Sequence, residues 1–271
     1  MEKFPTVQEL FDLSGKVAFV TGGARNLGFD MALALAEAGA DVCITSRNLE
    51  DAKASAIKIH EATGRRVLPI QLDVRFEDQV VRAVDEALAE FGKIDILVNN
   101  AGNVVATPES AKLENRTLED WYYTLDVNLT GTFLCCKHVV RKTMMPRKTG
   151  VIINIGSIAG MIGKDRRQYQ GTNMGGWTAD YCAAKGGVIN MTRDLACYLA
   201  PYNIRVNCIS PGGFWRNQPE SFVKAFSESI PMGRMGQDGK ELKGAVVFFA
   251  SEASSYCTGQ NLAIDGGLTA W

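Results

Sequence analysis

The chain has 271 residues, 46% of them hydrophobic, which is enough for one large hydrophobic core. Its 29 lysines and arginines nearly balance its 30 aspartates and glutamates and leave a formal net charge of -1, so the composition gives no general affinity for nucleic acid or for an anionic membrane surface. We expect one domain over residues 1–271, with a small molecule as its partner.

The N-terminal stretch MEKFPTVQELFDLSGK lacks the apolar segment and the small-residue cleavage site of a secretory signal. No apolar run approaches the roughly 18 residues of a membrane span. The seven cysteines are odd in number, form no CxxC pair and show no ligand-like spacing to His60 or His138. The sequence therefore predicts reduced thiols, no metal site, no membrane segment and a cytoplasmic location.

Short apolar strands alternate with helical segments along the whole chain. The pattern predicts strands at 17–20, 42–45, 67–72, 94–98, 151–155, 204–209 and 261–264. It predicts helices at 27–37, 49–62, 76–91, 118–145, 181–199, 219–229 and 240–250. Continuously apolar strands joined by crossover helices indicate an α/β fold, a single doubly wound Rossmann-type domain with a parallel sheet of about seven strands.

Two loops that contain glycine and proline follow predicted strands, near 156–178 and 211–231. In open α/β sheets, ligands bind beyond the carboxyl ends of the strands. These loops are therefore the candidate walls of a substrate site.

A glycine-containing turn, Thr21-Gly22-Gly23-Ala24-Arg25-Asn26-Leu27-Gly28, joins the first strand to the first helix. At this position, backbone amides and the helix N-terminus can hold a pyrophosphate, although a glycine cluster by itself also fits an ordinary tight turn. The predicted contacts are Gly22, Arg25, Asn26, Leu27 and Gly28.

The second strand ends in Thr45-Ser46-Arg47, where this fold chooses between NAD and NADP. This tip carries no carboxylate, and Arg25 and Arg47 can converge on a 2′-phosphate through charge-assisted hydrogen bonds. Ser46 and Arg47 therefore favour NADP(H) over NAD(H), with two solvated surface arginines as the alternative.

Two further strand ends carry candidate cofactor contacts. Asp73 and Val74 follow the third strand, where the Asp73 carboxylate can accept a hydrogen bond from an adenine amino group. Asn100 and Gly102 follow the fourth strand, where small residues let a flat cofactor pass close to the backbone. Either segment alone is also an ordinary transition from strand to turn.

Tyr181 and Lys185 lie four residues apart at the start of a predicted helix, so their side chains share one face. A neighbouring ammonium and an oxidised nicotinamide favour a phenolate, which would let Tyr181 exchange a proton with an alcohol or ketone. Ser157 can orient the substrate oxygen, and Asn128 can bend its helix and hold a water that leads to Lys185. Each residue taken alone also fits a structural role.

The ordered set TGGARNLG, LDV, NNAG, Asn128, Ser157, Tyr181-x-x-x-Lys185 and Ser210-Pro211-Gly212 resembles the short-chain dehydrogenase/reductase family over residues 14–267. The resemblance implies hydride transfer between a nicotinamide cofactor and an alcohol or ketone carbon. It implies that Tyr181 is the catalytic acid/base, Lys185 binds the nicotinamide ribose, Ser157 positions the substrate and Asn128 completes a proton relay. It also implies that Pro211 and Gly212 flank the nicotinamide, and that subunits form dimers or tetramers through their long helices.

The sequence departs from the family pattern in two places. Asn26 stands where the family has the middle glycine of its turn, and asparagine tolerates a left-handed backbone better than other non-glycine residues. The spacing from Ser157 to Tyr181 is longer than in the shortest members, so residues 164–178 must form a loop over the site.

Amides and aromatic rings in the two candidate walls indicate a hydroxylated substrate, and the cations beside them suit a carboxylate. The predicted contacts are Ser157, Arg166, Trp177, Trp215 and Arg216. The chain is most similar to gluconate 5-dehydrogenase-like members, which act on sugar acids and polyols. The alternatives are a 3-oxoacyl-(acyl-carrier-protein) reductase, which shares every catalytic residue, and a cofactor-binding regulatory protein without turnover.

Overall fold

The computed structural model describes residues 4–104 and 106–271. Its strands form one seven-stranded sheet in the order β3-β2-β1-β4-β5-β6-β7, and every neighbouring pair is parallel. The strands are β1 (Val17–Val20), β2 (Asp41–Ser46), β3 (Val67–Gln71), β4 (Ile96–Asn99), β5 (Gly150–Ile155), β6 (Ile204–Pro211) and β7 (Asn261–Ile264). The predicted doubly wound fold is confirmed.

Helices cover both faces of this sheet. They are α1 (Val7–Phe11), α2 (Asn26–Glu37), α3 (Leu49–Thr63), α4 (Glu77–Phe91), α5 (Leu118–Leu125), α6 (Gly131–Val139), α7 (Met145–Arg147), α8 (Ala179–Leu199), α9 (Glu220–Glu228) and α10 (Lys243–Ala250). In the described part of the chain, no helix combines the length and hydropathy needed to cross a bilayer.

The strand β1 shows how the sheet divides two hydrophobic cores. Ala18 and Val20 pack into the core that contains α2, α3 and α10, whereas Val17 and Phe19 pack into the core that contains α4, α6 and α8. Successive side chains of a strand point to opposite faces, so a strand buried on both faces must be apolar at every position. All four residues of β1 are buried for this reason.

The predicted continuous helix over 118–145 is interrupted by two π-helical turns, Asp126–Thr130 and Val140–Met144. Asn128 lies in the first turn, and its Nδ2 atom donates to the Thr124 carbonyl at 2.9 Å. Such turns recur at functional sites. The local distortion expected at Asn128 is therefore present.

The short helix α1 was not predicted, although its sequence signal is present. The Thr6 amide donates to Glu9 Oε2 at 2.6 Å, and the Glu9 amide donates to Thr6 Oγ1 at 3.2 Å. This is a capping box, which satisfies two amide groups at a helix start.

A buried ion pair fastens the long loop after β4 to the start of α8. Arg116 Nη2 lies 2.6 Å from Asp180 Oδ2, and the exposed fractions of the two side chains are 6% and 0%. Arg116 Nη2 also donates to Thr124 Oγ1 at 3.1 Å. Burial would raise the pKa of Asp180, but hydrogen bonds led by that of Arg116 hold the pKa below its usual value. Arg116 thus joins the long loop to α5 and to Asp180, the residue before Tyr181.

Candidate active site

One cleft of about 460 Å³ lies across the carboxyl ends of the strands. Residues from both the predicted cofactor site and the predicted reaction site line it. They are Gly22, Arg25, Asn26, Leu27, Gly28, Ser46, Arg47, Asp73, Val74, Asn100, Gly102, Ser157, Tyr181, Lys185, Pro211, Gly212 and Arg216.

The turn between β1 and α2 has the geometry of an anion cradle. Arg25 precedes the first turn of α2 and makes no side-chain cap, and that turn contains no acidic residue. Its amide groups are therefore available to a ligand. A Cβ atom at Gly28 would collide with the Gly22 carbonyl oxygen and with Asn100 Nδ2, so glycine is required there. These features fit the diphosphate of a dinucleotide.

Asn26 adopts the left-handed conformation that its glycine-like position demands, with φ of 50°. Asparagine reaches this region at lower cost than most residues with a side chain. The substitution therefore leaves the turn intact.

Asn100 holds the turn in place from the neighbouring strand. Its Nδ2 atom donates to the carbonyls of Thr21 and Gly22, both at 3.0 Å. The amides of Asn100 and Ala101 donate to Thr21 Oγ1, also at 3.0 Å. The side-chain amide of Asn100 thus supports the cradle as well as lining the cleft.

The end of β2 forms the cationic side of the cleft. Arg47 Nη1 donates to the Tyr123 hydroxyl at 3.3 Å. Asp73, a carboxylate in the same cleft, is bound by Arg75 through Nε to Oδ1 at 3.0 Å and Nη2 to Oδ2 at 2.6 Å. Burial would raise the pKa of Asp73, but the hydrogen bonds and charge of Arg75 keep the pKa below its usual value. Arg75 therefore offsets the negative charge beside Arg47.

At the other end of the cleft, Ser157, Tyr181 and Lys185 converge. Lys185 Nζ donates to the Ile155 carbonyl at 2.8 Å and lies 5.7 Å from the centre of the Tyr181 ring. Burial lowers the pKa of Lys185 to about 8. Burial raises the pKa of Tyr181, and a hydrogen bond with Ser157 only partly offsets this rise. The protein groups alone thus keep Tyr181 protonated at neutral pH.

Asn128 lies behind this triad and is fully buried. Its Nδ2 atom donates to the Asn103 carbonyl at 2.7 Å, and its Oδ1 atom accepts from the Asn103 amide at 3.2 Å. A Cβ atom at Gly102 would come within 2.8 Å of Asn128 Oδ1 and 3.5 Å of Lys185 Nζ. The missing side chain at Gly102 therefore leaves room between the two residues.

Three of the predicted substrate contacts do not line this cleft. The Trp177 ring packs instead against the apolar cluster around Phe222 and Phe226. Trp215 is 53% exposed, and its amide donates to the Gly236 carbonyl. Arg166 is exposed at the start of a 3-10 turn. Of the five residues predicted, Ser157 and Arg216 line the cleft.

Three residues that contact predicted site residues were not predicted from the sequence. Arg75 pairs with Asp73, Tyr123 contacts Arg47, and Asp238 pairs with Arg216. The first of these contacts has a local signal, an arginine two residues after an aspartate. The other two contacts join residues far apart in sequence, so no local pattern indicates them.

A family model described as enoyl-(acyl carrier protein) reductase matches residues 22–269. The 2-dehydro-3-deoxy-D-gluconate 5-dehydrogenase of Formosa agariphila is 36% identical over 269 residues, which cover 97% of this chain and 96% of that protein. The 3-oxoacyl-(acyl-carrier-protein) reductase of Chlamydia trachomatis is 36% identical over 260 residues, which cover 94% and 98%.

Among solved structures, a gluconate 5-dehydrogenase from Burkholderia cenocepacia in complex with NADP and tartrate matches with a TM-score of 0.87 and 35% identity. The match covers 98% of this chain and 100% of that one. Fold, cleft and sequence agree, and the chain therefore belongs to the short-chain dehydrogenase/reductase family of oxidoreductases.

Proposed function

We propose that this protein is an NADP-preferring enzyme that interconverts a secondary alcohol and a ketone of a sugar, sugar acid or polyol. The observation that carries the reaction is the convergence of Ser157, Tyr181 and Lys185 at one end of a cleft that has the glycine turn at its other end. A nicotinamide cofactor bound along this cleft supplies or accepts the hydride.

The proton is handled by Tyr181. The Ser157 side chain forms a hydrogen bond with Tyr181. In the proposed reaction, Ser157 orients the substrate oxygen beside the Tyr181 hydroxyl. Tyr181 donates its proton to the ketone oxygen in reduction and accepts a proton from the alcohol in oxidation. Pro211 and Gly212 line the cleft where the nicotinamide ring would lie.

Lys185 supplies the positive charge that favours a phenolate at Tyr181. Because the pKa of Lys185 is about 8, this charge is present at neutral pH and is lost as the pH rises through that value. Alcohol oxidation needs the phenolate, whose formation burial opposes. Nearby positive charge therefore favours the oxidative direction, and Asn128, which lies near Lys185 beside Gly102, is the residue proposed to hold a water that leads to Lys185.

Replacing Tyr181 by phenylalanine removes only the proton-transferring hydroxyl. We expect kcat to fall by ~10²- to 10⁴-fold while cofactor affinity stays within about twofold. Steady-state kinetics and calorimetric titration measure the two effects, and Tyr256→Phe, at a fully exposed residue, is the matched control. Turnover of Tyr181→Phe at the wild-type rate would refute this role.

The preference for NADP rests on charge at the end of β2. Arg25 and Arg47 both line the cleft there. The Asp73 carboxylate, which would repel a 2′-phosphate, is paired with Arg75. The solved relative from Burkholderia cenocepacia contains NADP, which agrees with this assignment. Arg47 is therefore the residue expected to contact the 2′-phosphate.

Arg47→Ala should weaken NADPH binding by about 10- to 100-fold, because charge-assisted hydrogen bonds to the 2′-phosphate are lost. NADH binding should change little. Titration of the wild type and of Arg47→Ala with NADPH and with NADH compares the two losses of affinity. Arg82→Ala, on the exposed face of α4, is the control. Equal losses for both cofactors would mean that Arg47 does not contact the 2′-phosphate.

The substrate class rests on two relatives that match almost the whole chain, a 2-dehydro-3-deoxy-D-gluconate 5-dehydrogenase and a gluconate 5-dehydrogenase. Lys164 Nζ donates to the Gly175 carbonyl at 2.7 Å, and Gly175 packs against the carbonyls of Ala106 and Thr107. The lengthened loop is thus held together internally and lies close to the loop after β4, and its residues 164–178 do not line the cleft.

A substrate panel with NADPH tests this choice. We expect kcat/KM for a keto-sugar acid or polyol to exceed that for a short 3-oxoacyl thioester by about 100-fold or more, because buried polar groups discriminate against substrates that lack hydroxyls. Tyr181→Phe assayed on the same panel shows whether turnover arises at this site. Exclusive turnover of the thioester would assign the enzyme to acyl-chain reduction.

We also propose that copies of the chain associate through the long helices. An apolar groove of about 500 Å³ lies along α6, α7 and α8, and Phe133 and Tyr198 in it are 47% and 61% exposed. The family resemblance implies contacts through these same helices.

Light scattering should report a dimer or tetramer at micromolar concentration. The double variant Phe133→Asp/Tyr198→Asp should shift the species to monomer, since charges in an apolar interface are costly to bury. Tyr256→Asp, at an exposed residue outside the groove, should not. A wild-type monomer would contradict the proposal.

A further inference from the structure

We propose that Arg216 binds the diphosphate of the cofactor and that Asp238 competes for the same guanidinium, so that the pair forms a latch opened by cofactor binding. The inference rests on the proposed use of a nicotinamide dinucleotide. It changes the role of Arg216, which the sequence suggested as a contact for the carboxylate of the substrate.

The pair is well defined and partly open to the cleft. Arg216 Nε lies 2.7 Å from Asp238 Oδ2, and Nη2 lies 2.8 Å from Oδ1. The two side chains are 37% and 32% exposed. Arg216 lines the cleft together with the glycine turn. Its guanidinium therefore already binds an oxyanion in the fork geometry that also suits phosphate.

Contacts with α2 place this pair at the phosphate end of the cleft. The Gly239 amide donates to Asp30 Oδ2 at 2.6 Å, and Asp30 lies one turn beyond Asn26, where α2 begins. Burial raises the pKa of Asp30, and Asp238, Lys243 and Arg216 are close enough to contribute to it. The guanidinium is thus held near the helix end that receives the diphosphate.

The backbone around the pair is fixed, so only the side chain needs to move. The Trp215 amide donates to the Gly236 carbonyl at 3.0 Å, and the Gly236 amide donates to the Gly213 carbonyl at 2.9 Å. These bonds join the loop after β6 to the loop that carries Asp238. Partly exposed ion pairs contribute little to stability, so exchanging the carboxylate for a phosphate costs little free energy.

The latch predicts opposite changes in cofactor affinity when Arg216 and Asp238 are replaced. Arg216→Ala should weaken NADPH and NADH equally, by about 10- to 100-fold, because both carry the diphosphate. Asp238→Asn should tighten both by about 3- to 10-fold, because the guanidinium is no longer held by a competing carboxylate. Adenosine 2′-monophosphate, which lacks a diphosphate, should bind every variant equally.

Calorimetric titration of the full-length protein with NADPH, NADH and adenosine 2′-monophosphate tests the latch. Arg82→Ala and Asp78→Asn, which remove an exposed arginine–aspartate pair on α4, are matched controls and should bind as the wild type does. Arg216→Lys should lie between wild type and Arg216→Ala, since it keeps the charge without the fork. Thermal melting verifies that each variant is folded.

Three outcomes would overturn the latch. Weaker cofactor binding in both Arg216→Ala and Asp238→Asn would mean that the pair only supports the loop. Unchanged cofactor affinity with a raised KM for an acidic substrate in Arg216→Ala would return Arg216 to the substrate site. Unchanged cofactor affinity together with an unchanged KM in every variant would remove Arg216 from both sites. A wild-type protein that binds no dinucleotide would instead refute the proposed function itself.

Discussion

The hydrogen bonds between Thr21 and Asn100 join the two ends of the active site. They hold the glycine turn after β1 against the start of the loop after β4. Two residues later, Gly102 packs against Asn128 and Lys185. The glycine turn is therefore linked, through three consecutive residues, to Asn128 and Lys185. Parallel strands bring their carboxyl ends to one edge, and these contacts align the groups at that edge.

A second set of contacts closes the same site from the side of α8. Arg116 binds Asp180, which directly precedes Tyr181, and also the side chain of Thr124. The Thr124 carbonyl accepts from Asn128. Tyr181 and Asn128 thus sit on two helices joined by one buried arginine. Removing Arg116 or Asp180 would leave a buried charge without its partner, so this pair holds Tyr181 and Asn128 in their relative positions.

The sequence was sufficient for features that depend on local periodicity and on ordered motifs. The apolar strands and their crossover helices predicted the sheet, and the position of Asn26 in the turn predicted its left-handed backbone. The sequence was insufficient where the environment of a side chain depends on residues that are distant in the chain. Trp177 and Trp215 looked equally suited to a substrate site, yet one packs into an apolar cluster and the other is exposed. The burial of an aromatic ring depends on how the loops pack, which composition does not encode.

The charges around the cleft explain why a phosphate-rich ligand suits it. Two carboxylates at or near the cleft have partners: Asp73 is bound to Arg75, and Asp238 is bound to Arg216. Asp30, a buried residue of α2, accepts a hydrogen bond from the Gly239 amide. Arg25 and Arg47 line the same surface. The chain as a whole is nearly neutral, but the cleft is lined by four basic residues, Arg25, Arg47, Lys185 and Arg216, and by one acidic residue, Asp73, so its cationic character is local. The binding free energy of a ligand with several phosphates becomes more favourable with each cation that it contacts.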